Sequence, residues 1–556
     1  MKSRIFIRLR DFGRERLKSL KLTQSTQSGT SRTMDFPTST PAAAAASFSV
    51  QKIAIIGAGP SGLAAAKYFI AQDGAFSRID VLEQQAEVGG VWNYTGVSRP
   101  EGELGVPQVD AKPRRPDPPV YSENGGGKGV PLFPSPMYED LNTNIPHTLM
   151  RFSDLGFPDR CTIFPPREDV QEYLVEYARD VRHLVRFSTQ VTDISLRSDE
   201  GRDQWDVSTT DLLTGGEKKE TYDAVVVASG HYSTPYIPDY IEGISTFHAA
   251  HPGVISHSKI YRTAEPYRGK KVVVVGTGPS GLDIAAQIQR VSSPPLLVSA
   301  RTEANPELFE HLGANVRQVG QIKRFLIGER GVEFYPLHKS SDEKKAGEND
   351  SNEIKKEETI IEKDIDAILF CTGYLYTFPF LTNPPDSKPL ITDGRRVHGL
   401  AKHFLHIAHP TIAFPALPIK VIPFPLAEAQ ASFLARLWSN VLPLPPRSEL
   451  EEWERKDGEG TAPGKFHVFA KGDDGRYINE LHDIIVARSK GGGKKPPYWD
   501  EEMLWQRGIY VEGKIRFERT GRKAKTLEEL GFRYEPKEVK KEDGLEGKDS
   551  ERDVAG

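Results

Sequence analysis

The sequence predicts an α/β fold in which two doubly wound, Rossmann-like dinucleotide-binding domains share one chain, the second domain being inserted into the first. A β-branched strand, a glycine-rich turn and an apolar helix follow one another near residue 57, and the same order recurs near residue 276. Nearly continuous apolar runs at 222–228 and 365–370 are typical of buried parallel strands, and they bracket the second unit.

The first unit carries the clearest periodic patterns. Its predicted elements are, in order, a strand at Lys52–Ile56, a helix at 63–71, a strand at 79–82, a helix at 168–179 and a strand at 185–194. Between them, residues 97–131 are crowded with proline, glycine and charge. We therefore expect a long surface insertion there, with no core of its own.

The second unit and the C-terminal third give shorter signals. Strands are expected at 271–275, Leu296–Ser299 and 365–370, and the charged segment 339–358 is expected to be a loop or a disordered insertion. Residues 428–440 have the spacing of an amphipathic helix. The apolar, proline-rich segment 401–426 is expected to wall a cleft that both linkers between the units must cross.

The first glycine fingerprint consists of Gly57, Ala58, Gly59, Pro60, Ser61 and Gly62, and the acidic Glu83 ends the next strand. The first glycine permits a tight turn, the second lets the backbone approach a pyrophosphate, and the third lets the helix pack closely on the strand. Free N–H groups at the helix N-terminus then attract the anion. Because Glu83 can accept both ribose hydroxyl protons but would repel a 2′-phosphate, this site suits FAD or NAD.

The second fingerprint consists of Gly276, Thr277, Gly278, Pro279, Ser280 and Gly281, and it also lies between an apolar strand and a helix. Just after its next strand stands Arg301, which can pair with a ribose 2′-phosphate where an acid would exclude it. NADPH is therefore the predicted cofactor here, although Arg301 could also be an ordinary surface charge. Two dinucleotide sites in one chain indicate electron transfer from a nicotinamide to a flavin.

The segment before the second fingerprint resembles the identifying motif of the flavin-containing monooxygenases, F-x-G-x-x-x-H-x-x-x-Y/F. Gly253, His257 and Tyr261 match this motif, whereas His251 replaces its leading aromatic residue. The resemblance extends from about residue 52 to about residue 440, and it is to the soluble, fungal-type members that oxygenate nitrogen or sulfur.

Four further segments carry the same resemblance. Residues 89–92 resemble the G-G-x-W segment along the flavin, and residues 141–144 resemble the T-N element at its reactive edge. Residues 280–283 resemble the start of the NADP-contacting helix, and residues 371–374 resemble the A-T-G-Y segment, with cysteine in place of alanine. The cofactor contacts that the resemblance adds are Gly90, Val91, Trp92, Thr143, Asn144, Leu282, Asp283, Thr372 and Gly373.

The resemblance also implies a mechanism. NADPH reduces FAD, dioxygen forms a C4a-hydroperoxyflavin, and one oxygen atom passes to a soft nitrogen or sulfur nucleophile of a small molecule. Asn144 is the implied catalytic residue, donating a hydrogen bond near the peroxide, unless it only forms a turn. His257 is expected to shape the crossing between the domains rather than transfer protons.

The expected domain boundaries follow from these sites. They are a disordered leader at 1–49, a first part of the FAD-binding domain at 50–234, an NADPH-binding domain at 235–368, a second part of the FAD-binding domain with C-terminal helices at 369–535, and a disordered tail at 536–556.

Three alternatives stay open or are disfavoured. A Baeyer–Villiger monooxygenase acting on ketones would share the fold, but its motif ends in Trp-Pro where Tyr261 and Arg262 stand. A flavin disulfide reductase is disfavoured because no redox cysteine pair follows the first fingerprint. A sensor that binds FAD and NADPH without turnover would keep the same fingerprints.

Composition limits the partners. A net charge of −4 gives no basic field for nucleic acid, and no apolar run is long enough for a membrane span. The only cysteines, Cys161 and Cys371, exclude a disulfide framework. No metal site is expected, because Pro410 follows His403, His406 and His409 and no carboxylate or cysteine completes the set. The expected partners are a small-molecule substrate and O₂, and a homodimer is left open.

The N-terminus bears on localisation. The first 33 residues contain nine Lys or Arg against two acids, which is similar to a mitochondrial transit peptide. Alternatively, Met34 is the true start and the leader is simply disordered. We therefore expect a cytoplasmic protein, or a mitochondrial one if the leader is a transit peptide.

Overall fold

The computed structural model describes residues 47–97, 105–113, 115–122, 129–199, 202–304, 309, 312–338, 359–384, 388–462 and 464–536. The expectations for the transit peptide and most of the leader, for the charged segment 339–358 and for the tail after residue 536 lie outside these ranges. No helix in the described ranges is long and apolar enough to cross a membrane.

The strands are β1 (Lys52–Ile56), β2 (Arg78–Leu82), β3 (Val120–Tyr121), β4 (Pro131–Leu132), β5 (Val185–Arg186), β6 (Thr189–Asp199), β7 (Arg202–Asp211), β8 (Glu217–Tyr222), β9 (Ala224–Val227), β10 (Thr234–Pro235), β11 (Ile255–His257), β12 (Val272–Val275), β13 (Leu296–Ser299), β14 (Val316–Val319), β15 (Ile322–Leu326), β16 (Gly331–Phe334), β17 (Ile360–Glu362), β18 (Ala367–Phe370), β19 (Tyr374–Leu375), β20 (Leu400–Ala401), β21 (Leu405–His406) and β22 (Ile412–Ala413). The α-helices are α1 (Pro60–Ile70), α2 (His147–Met150), α3 (Arg167–Tyr177), α4 (Ile244–Ala250), α5 (Pro279–Ile288), α6 (Pro423–Trp438), α7 (Arg447–Gly458), α8 (Asp473–Arg488) and α9 (Glu501–Arg519).

A seven-stranded sheet, in the order β20-β21-β22-β9-β1-β2-β5, carries the first fingerprint. Its central strand β1 pairs in parallel with β2 and with β9, so that Ile53 lies opposite Ile79 on one side and Ala224 on the other. All but the first residue of β1, and all of β9, are buried, as the continuous apolar runs predicted.

A five-stranded parallel sheet, in the order β11-β18-β12-β13-β14, carries the second fingerprint. All of its strands fall in the sequence between β9 and β20 of the first sheet. The predicted insertion of one doubly wound unit into the other is therefore confirmed. The exact domain boundaries stay a prediction, and the last strand of the inserted sheet extends to Phe370.

The two linkers between the sheets pair with each other. Strand β10 runs antiparallel to β19, with Thr234 opposite Leu375 and Pro235 opposite Tyr374. The hydroxyls of Thr234 and Thr377 are also hydrogen-bonded at 2.9 Å. The expectation that both linkers cross the same place is thus confirmed, and this crossing brings the two fingerprints to one cleft.

Two predicted elements differ from the structure. The single strand expected at 185–194 is divided between β5 and β6, because Ser188 adopts a positive φ of 49° that interrupts the extended backbone. The helix expected to be amphipathic is α6, and every residue after Pro423 in it is buried. Helix α1 packs on it, with Phe69 stacked on Trp438, and on another side Gln430 donates to the Tyr477 hydroxyl of α8.

The expectation of a surface insertion without a core at 97–131 is wrong for its described part. Ala111 is only 5% exposed and belongs to a buried cluster that includes Leu375. The Gln108 and Ile237 backbones exchange two hydrogen bonds of 2.9 Å, and β3 pairs with β4. The backbone contacts and the small buried alanine, rather than a run of apolar side chains, hold the segment in place, so hydropathy alone could not reveal it.

Candidate active site

The first fingerprint forms the turn from β1 into α1, and its glycines are sterically required. Gly57 has a φ of 101°, and a Cβ there would lie 2.7 Å from the Ala228 carbonyl oxygen. A Cβ on Gly62 would lie 1.9 Å from the Gly57 carbonyl oxygen, so only glycine allows this close approach of helix and strand. Helix α1 has no side-chain cap, which leaves its first N–H groups available to an anion.

Glu83 lies beside this turn and is 4% exposed. Its carboxylate accepts hydrogen bonds from the backbone N–H groups of Ala58, at 2.7 Å, and Gln85, at 2.8 Å. Burial raises the pKa of Glu83, and these two N–H groups oppose that shift. The acid is thus fixed at the edge of the cleft in a position that could receive the hydroxyls of a ribose.

The second fingerprint repeats this geometry between β12 and α5. Gly276 has a φ of 116°, and a Cβ on Gly281 would lie 2.1 Å from the Gly276 carbonyl oxygen. A Cβ added to Gly278 would have no atom within 4 Å, so this part of the turn faces open space. Helix α5 also lacks a side-chain cap. Both turns therefore fit the pyrophosphate of a dinucleotide, which needs close backbone approach and free N–H donors.

Both turns open on one cleft of about 1500 Å³. The predicted site residues that line it are Gly57, Gly59, Pro60, Ser61, Glu83, Gly90, Val91, Trp92, Thr143, Asn144, Gly253, Thr277, Gly278, Pro279, Ser280, Gly281, Leu282, Asp283, Thr372 and Gly373. Those that do not line it are Ala58, Gly62, His257, Tyr261, Gly276 and Arg301. The predicted wall also contributes, through residues 415–421, Pro423 and Phe424.

Asn144 is exposed in this cleft, and its side chain has no hydrogen-bond partner among the described residues. The preceding Thr143 is buried and anchors the loop, since its N–H donates to the Pro165 carbonyl and its hydroxyl to the Ile145 carbonyl. Across the cleft, the Trp92 ring meets Phe424 edge-on at 6.5 Å. The loop therefore presents an unused amide to the cleft from a fixed backbone.

His257 has a structural environment. It is fully buried, its Nδ1 accepts from the Lys259 N–H at 3.0 Å, and its Nε2 must then carry the proton donated to the Gly373 carbonyl at 3.1 Å. Burial lowers the pKa of His257 to about 3, so the imidazole is neutral at physiological pH. The histidine thereby joins β11 to the linker that follows β18.

The replaced motif position also has a packing role. His251 follows α4, its ring packs on Phe247 at 4.8 Å, and its Nε2 lies 2.8 Å from the Ile327 carbonyl oxygen. An imidazole therefore supplies a ring contact where the motif has an aromatic residue.

A buried hydrogen-bond chain supports the second fingerprint, and two of its members were not predicted from the sequence. The Tyr138 hydroxyl donates to Asp283 Oδ2 at 2.5 Å, and Gln287 Nε2 donates to the same oxygen at 3.1 Å. Gln287 Oε1 accepts from the Tyr261 hydroxyl at 2.9 Å. Burial raises the pKa of Asp283. Tyr138 and Gln287 belong to none of the sequence motifs, so no spacing rule points to them.

Helix α9 adds another unexpected part of the cleft. Tyr510, Lys514 and Glu518 line it from one face of the helix, at the four-residue spacing of adjacent turns. Beyond the helix, Arg522 reaches Asn142 Oδ1 at 3.2 Å. The long sequence separation between α9 and the fingerprints hides this contribution from local patterns.

The remaining predicted residues are placed as follows. Arg301 is exposed and stands two residues after the end of β13, outside the cleft lining, so its 2′-phosphate role stays a prediction. His403 lies 3.2 Å from His467 between their Nδ1 atoms, whereas His409 lies 3.1 Å from Asp203. The described ranges contain no group of three or more His, Cys, Asp or Glu side chains arranged to hold a metal.

Comparisons with known proteins agree with this geometry. The flavin-binding monooxygenase-like family model matches residues 134–305 and 345–491, and an NAD(P)-binding Rossmann-like model matches residues 55–107. A thiol-specific monooxygenase of Saccharomyces cerevisiae is 29% identical over 82% of this chain and 90% of its own. The flavin-containing monooxygenase FMO GS-OX-like 4 of Arabidopsis thaliana is 30% identical over 82% of this chain and 91% of its own.

Among solved structures, the S-allyl-L-cysteine S-oxygenase from Allium sativum superposes with a TM-score of 0.65 and 26% identity, covering 87% of this chain and 98% of that one. The family match covers more than half of the sequence and includes the second fingerprint, and the Rossmann-like match includes the first. The chain therefore belongs to the flavin-containing monooxygenase family and is an FAD- and NADPH-dependent monooxygenase.

Proposed function

We propose that this chain transfers one oxygen atom of O₂ to a soft nucleophilic atom of a small molecule, and that this atom is sulfur. The observation that carries the proposal is that two uncapped dinucleotide turns open on one cleft. The second oxygen atom leaves as water, with the hydride of NADPH and one proton from solvent. Electrons and atoms then balance without a nucleophilic side chain or a metal.

Sulfur is favoured over nitrogen because of what similar proteins are named for. One relative is called a thiol-specific monooxygenase, and the enzyme with the similar solved structure is called an S-allyl-L-cysteine S-oxygenase. Thiols and thioethers are soft nucleophiles that an electrophilic oxygen can oxidise directly. A thiol or a thioether is therefore the substrate class that we assign to this cleft.

We assign the cofactor contacts by position. The residues that would hold FAD are Gly57, Ala58, Gly59, Pro60, Ser61, Gly62, Glu83, Gly90, Val91, Trp92, Thr143, Asn144, Thr372 and Gly373. The residues that would hold NADPH are Gly276, Thr277, Gly278, Pro279, Ser280, Gly281, Leu282, Asp283 and Arg301. When bound, FAD supplies the redox chemistry and the activation of dioxygen.

The chain's own residues then have limited tasks. Asn144 would donate a hydrogen bond where the cofactors and the substrate meet, because its amide is exposed in the cleft and unpaired among the described residues. Apolar side chains such as Trp92, Met150 and Phe424 would limit water in the same region. His257, which is buried and neutral, would hold the crossing of the linkers and transfer no proton.

The test is a substrate panel with the FAD-loaded enzyme. NADPH oxidation and product formation are measured with a thioether, a tertiary amine and a cyclic ketone. We expect sulfoxide in close to equal amount with the NADPH consumed. Ester or lactone as the main product would instead support ketone oxygenation. NADPH oxidation that no substrate stimulates would support a sensor.

A further inference from the structure

Most of the described insertion, residues 108–113, 115–122 and 129–131, lies outside the matched segments, because the Rossmann-like match ends at residue 107 and the monooxygenase-like match begins at residue 134. Its residues Gln108, Asp110, Pro113, Arg115, Pro116 and Asp117 nevertheless line the same cleft as the fingerprints. The family match therefore leaves a wall of the cleft unassigned.

The insertion is attached at its start by backbone contacts. Gln108 N–H donates to the Ile237 carbonyl, and Ile237 N–H donates to the Gln108 carbonyl, both at 2.9 Å. The Ala111 side chain packs in the buried cluster that includes Leu375. It also lies close to Gly394, because a Cβ added to Gly394 would be only 2.7 Å from the Ala111 Cβ. The partners in these contacts, Ile237 and Leu375, lie more than a hundred residues after the first fingerprint in the sequence.

A second attachment is made at Asp117. Its backbone carbonyl accepts a hydrogen bond from Gln190 Nε2 at 2.8 Å, and its carboxylate lies 3.3 Å from Lys259 Nζ. Gln190 Nε2 also donates to Gln84 Oε1 at 3.2 Å, and Gln190 is only 8% exposed. A single buried amide group therefore joins the insertion to Gln84, which directly follows the ribose-binding candidate Glu83.

This attachment places the insertion at one particular end of the cleft. In a doubly wound sheet, the acid after the second strand receives the adenosine ribose, at the rim beyond the carboxyl ends of the strands. Here Glu83, Gln84 and Gln85, which follow β2, line the cleft together with Val191 of β6, and Asp117 lines it from the insertion.

We propose that residues 105–113 and 115–117 form a clasp over the adenosine half of the FAD site, fastened by Gln190 and Lys259, and that opening of this clasp limits the release of FAD. The inference rests on the FAD contacts assigned under the proposed function. The ligand of the clasp is the adenosine moiety, and NADPH binds at the other sheet and does not depend on it.

The test uses the full chain loaded with FAD and the variants Gln190→Met and Asp117→Asn. The first removes both hydrogen bonds that Gln190 Nε2 donates, at similar side-chain volume. The second removes the negative charge that lies beside Lys259 and keeps the shape of the side chain. Glu265→Gln is the matched control, because it breaks an ion pair with Arg268, at 2.7 Å, outside the cleft. Release of FAD after dilution is followed by the rise of free-flavin fluorescence, and NADPH affinity is measured by titration.

We expect FAD release to become about tenfold faster in Gln190→Met and about threefold faster in Asp117→Asn, with NADPH affinity unchanged. The proposal of a clasp would be overturned if the rate of FAD release in both Asp117→Asn and Gln190→Met stayed within about twofold of the wild-type rate. It would also be overturned if the control Glu265→Gln accelerated FAD release as much as these variants. If Gln190→Met does not fold, the Asp117→Asn rate decides. Oxygen transfer is not part of this measurement, so a wild type that forms no product would overturn the proposed function and leave the clasp intact.

Discussion

At the residue scale, the side chains in and beside the cleft divide into those that hydrogen bonds to the backbone already hold and those that have no hydrogen-bond partner among the described residues. Glu83 is fixed by two backbone N–H groups, and His257 is fixed by an N–H donor and a carbonyl acceptor. Asn144 has no such partner among the described residues and faces the cleft. Groups of the first kind keep a geometry, whereas an unpaired amide is available to a ligand.

The first prediction concerns Asn144. Replacement by alanine removes the side-chain amide that this position presents to the cleft, so we expect the yield of oxygenated product per NADPH to fall about tenfold or more while hydrogen peroxide rises. The FAD content should fall much less, because the other assigned FAD contacts remain and Thr143 still holds the loop. Asn315→Ala, at an exposed position outside the cleft, is the control. An unchanged yield in Asn144→Ala would show that the asparagine only shapes the turn.

The second prediction concerns Arg301. If its guanidinium pairs with the 2′-phosphate, Arg301→Gln should raise the KM for NADPH about tenfold or more, because a charge-assisted contact is lost. The KM for NADH, which has no such phosphate, should stay within about twofold. Steady-state kinetics with both nucleotides measure the difference. A parallel change for the two nucleotides would mean that Arg301 is a surface charge.

The sequence predicted functional residues at the ends of strands, but it did not predict the residues that form hydrogen bonds with them in the folded chain. Glu83 is visible because an acid at the end of the second strand has a defined position in this fold. Tyr138 and Gln287 are invisible, since their importance comes only from meeting Asp283 across the fold. Local patterns carry no information about such long-range contacts.

At the element scale, the turn between β12 and α5 shows how different glycines serve different purposes. Gly276 has a positive φ, and a Cβ on it would collide with the Cys371 carbonyl oxygen at 2.7 Å, whereas Gly278 faces open space. The first is required by the fold, and the second is required only by a ligand that approaches the backbone.

The third prediction follows from this contrast. Gly276→Ala should lower the melting temperature by several degrees, because it combines backbone strain with a steric clash. Gly278→Ala should leave the melting temperature nearly unchanged but raise the dissociation constant for NADPH, because the methyl group occupies the space of the pyrophosphate. Thermal unfolding and nucleotide titration test the pair, and the reverse assignment of effects would contradict the account.

Elements with strong local patterns were predictable, and those formed by tertiary contacts were not. The strands around both fingerprints lie within a few residues of their predicted bounds, since continuous apolar runs mark buried parallel strands. Helix α6 was expected to have a polar face, but Glu428, Gln430 and Arg436 are buried with hydrogen-bond partners. A hydropathy pattern predicts that such polar residues are exposed, because it contains no information about the hydrogen bonds that allow them to be buried.

At the scale of the whole molecule, burial of histidines predicts how stability depends on pH. Burial lowers the pKa of His257 and His403 to about 3, and that of His231 and His406 to about 4. Below about pH 6.5 the unfolded chain binds protons that the folded chain does not, so the folded state loses stability as pH falls and is unaffected above that range.

The fourth prediction is therefore a melting temperature that falls steadily between pH 6.5 and pH 4.5. Each histidine contributes up to about 1.4 kcal/mol per pH unit in this window. Thermal unfolding at constant ionic strength measures the slope, and His257→Gln should reduce it. A melting temperature that does not change from pH 7 to pH 5 would contradict the neutral, buried state of these side chains.

The cleft as a whole is assembled from distant parts of the chain. The fingerprints, the 141–144 loop, the insertion, the 415–424 wall and α9 all contribute to it. The sequence predicted the fingerprints, the loop and the wall, whose motifs are local. It did not predict that the insertion and α9 line the cleft, because their place depends on the packing of the complete fold.

The central claim is tested most directly by the origin of the transferred oxygen. The FAD-loaded enzyme, NADPH and a thioether are mixed under ¹⁸O₂ in ordinary water, and the sulfoxide is analysed by mass spectrometry. We predict one ¹⁸O atom in nearly every sulfoxide molecule, and none when the label is supplied as H₂¹⁸O. Absence of sulfoxide, or sulfoxide labelled from water, would contradict the assignment of this chain as a sulfur-oxygenating monooxygenase.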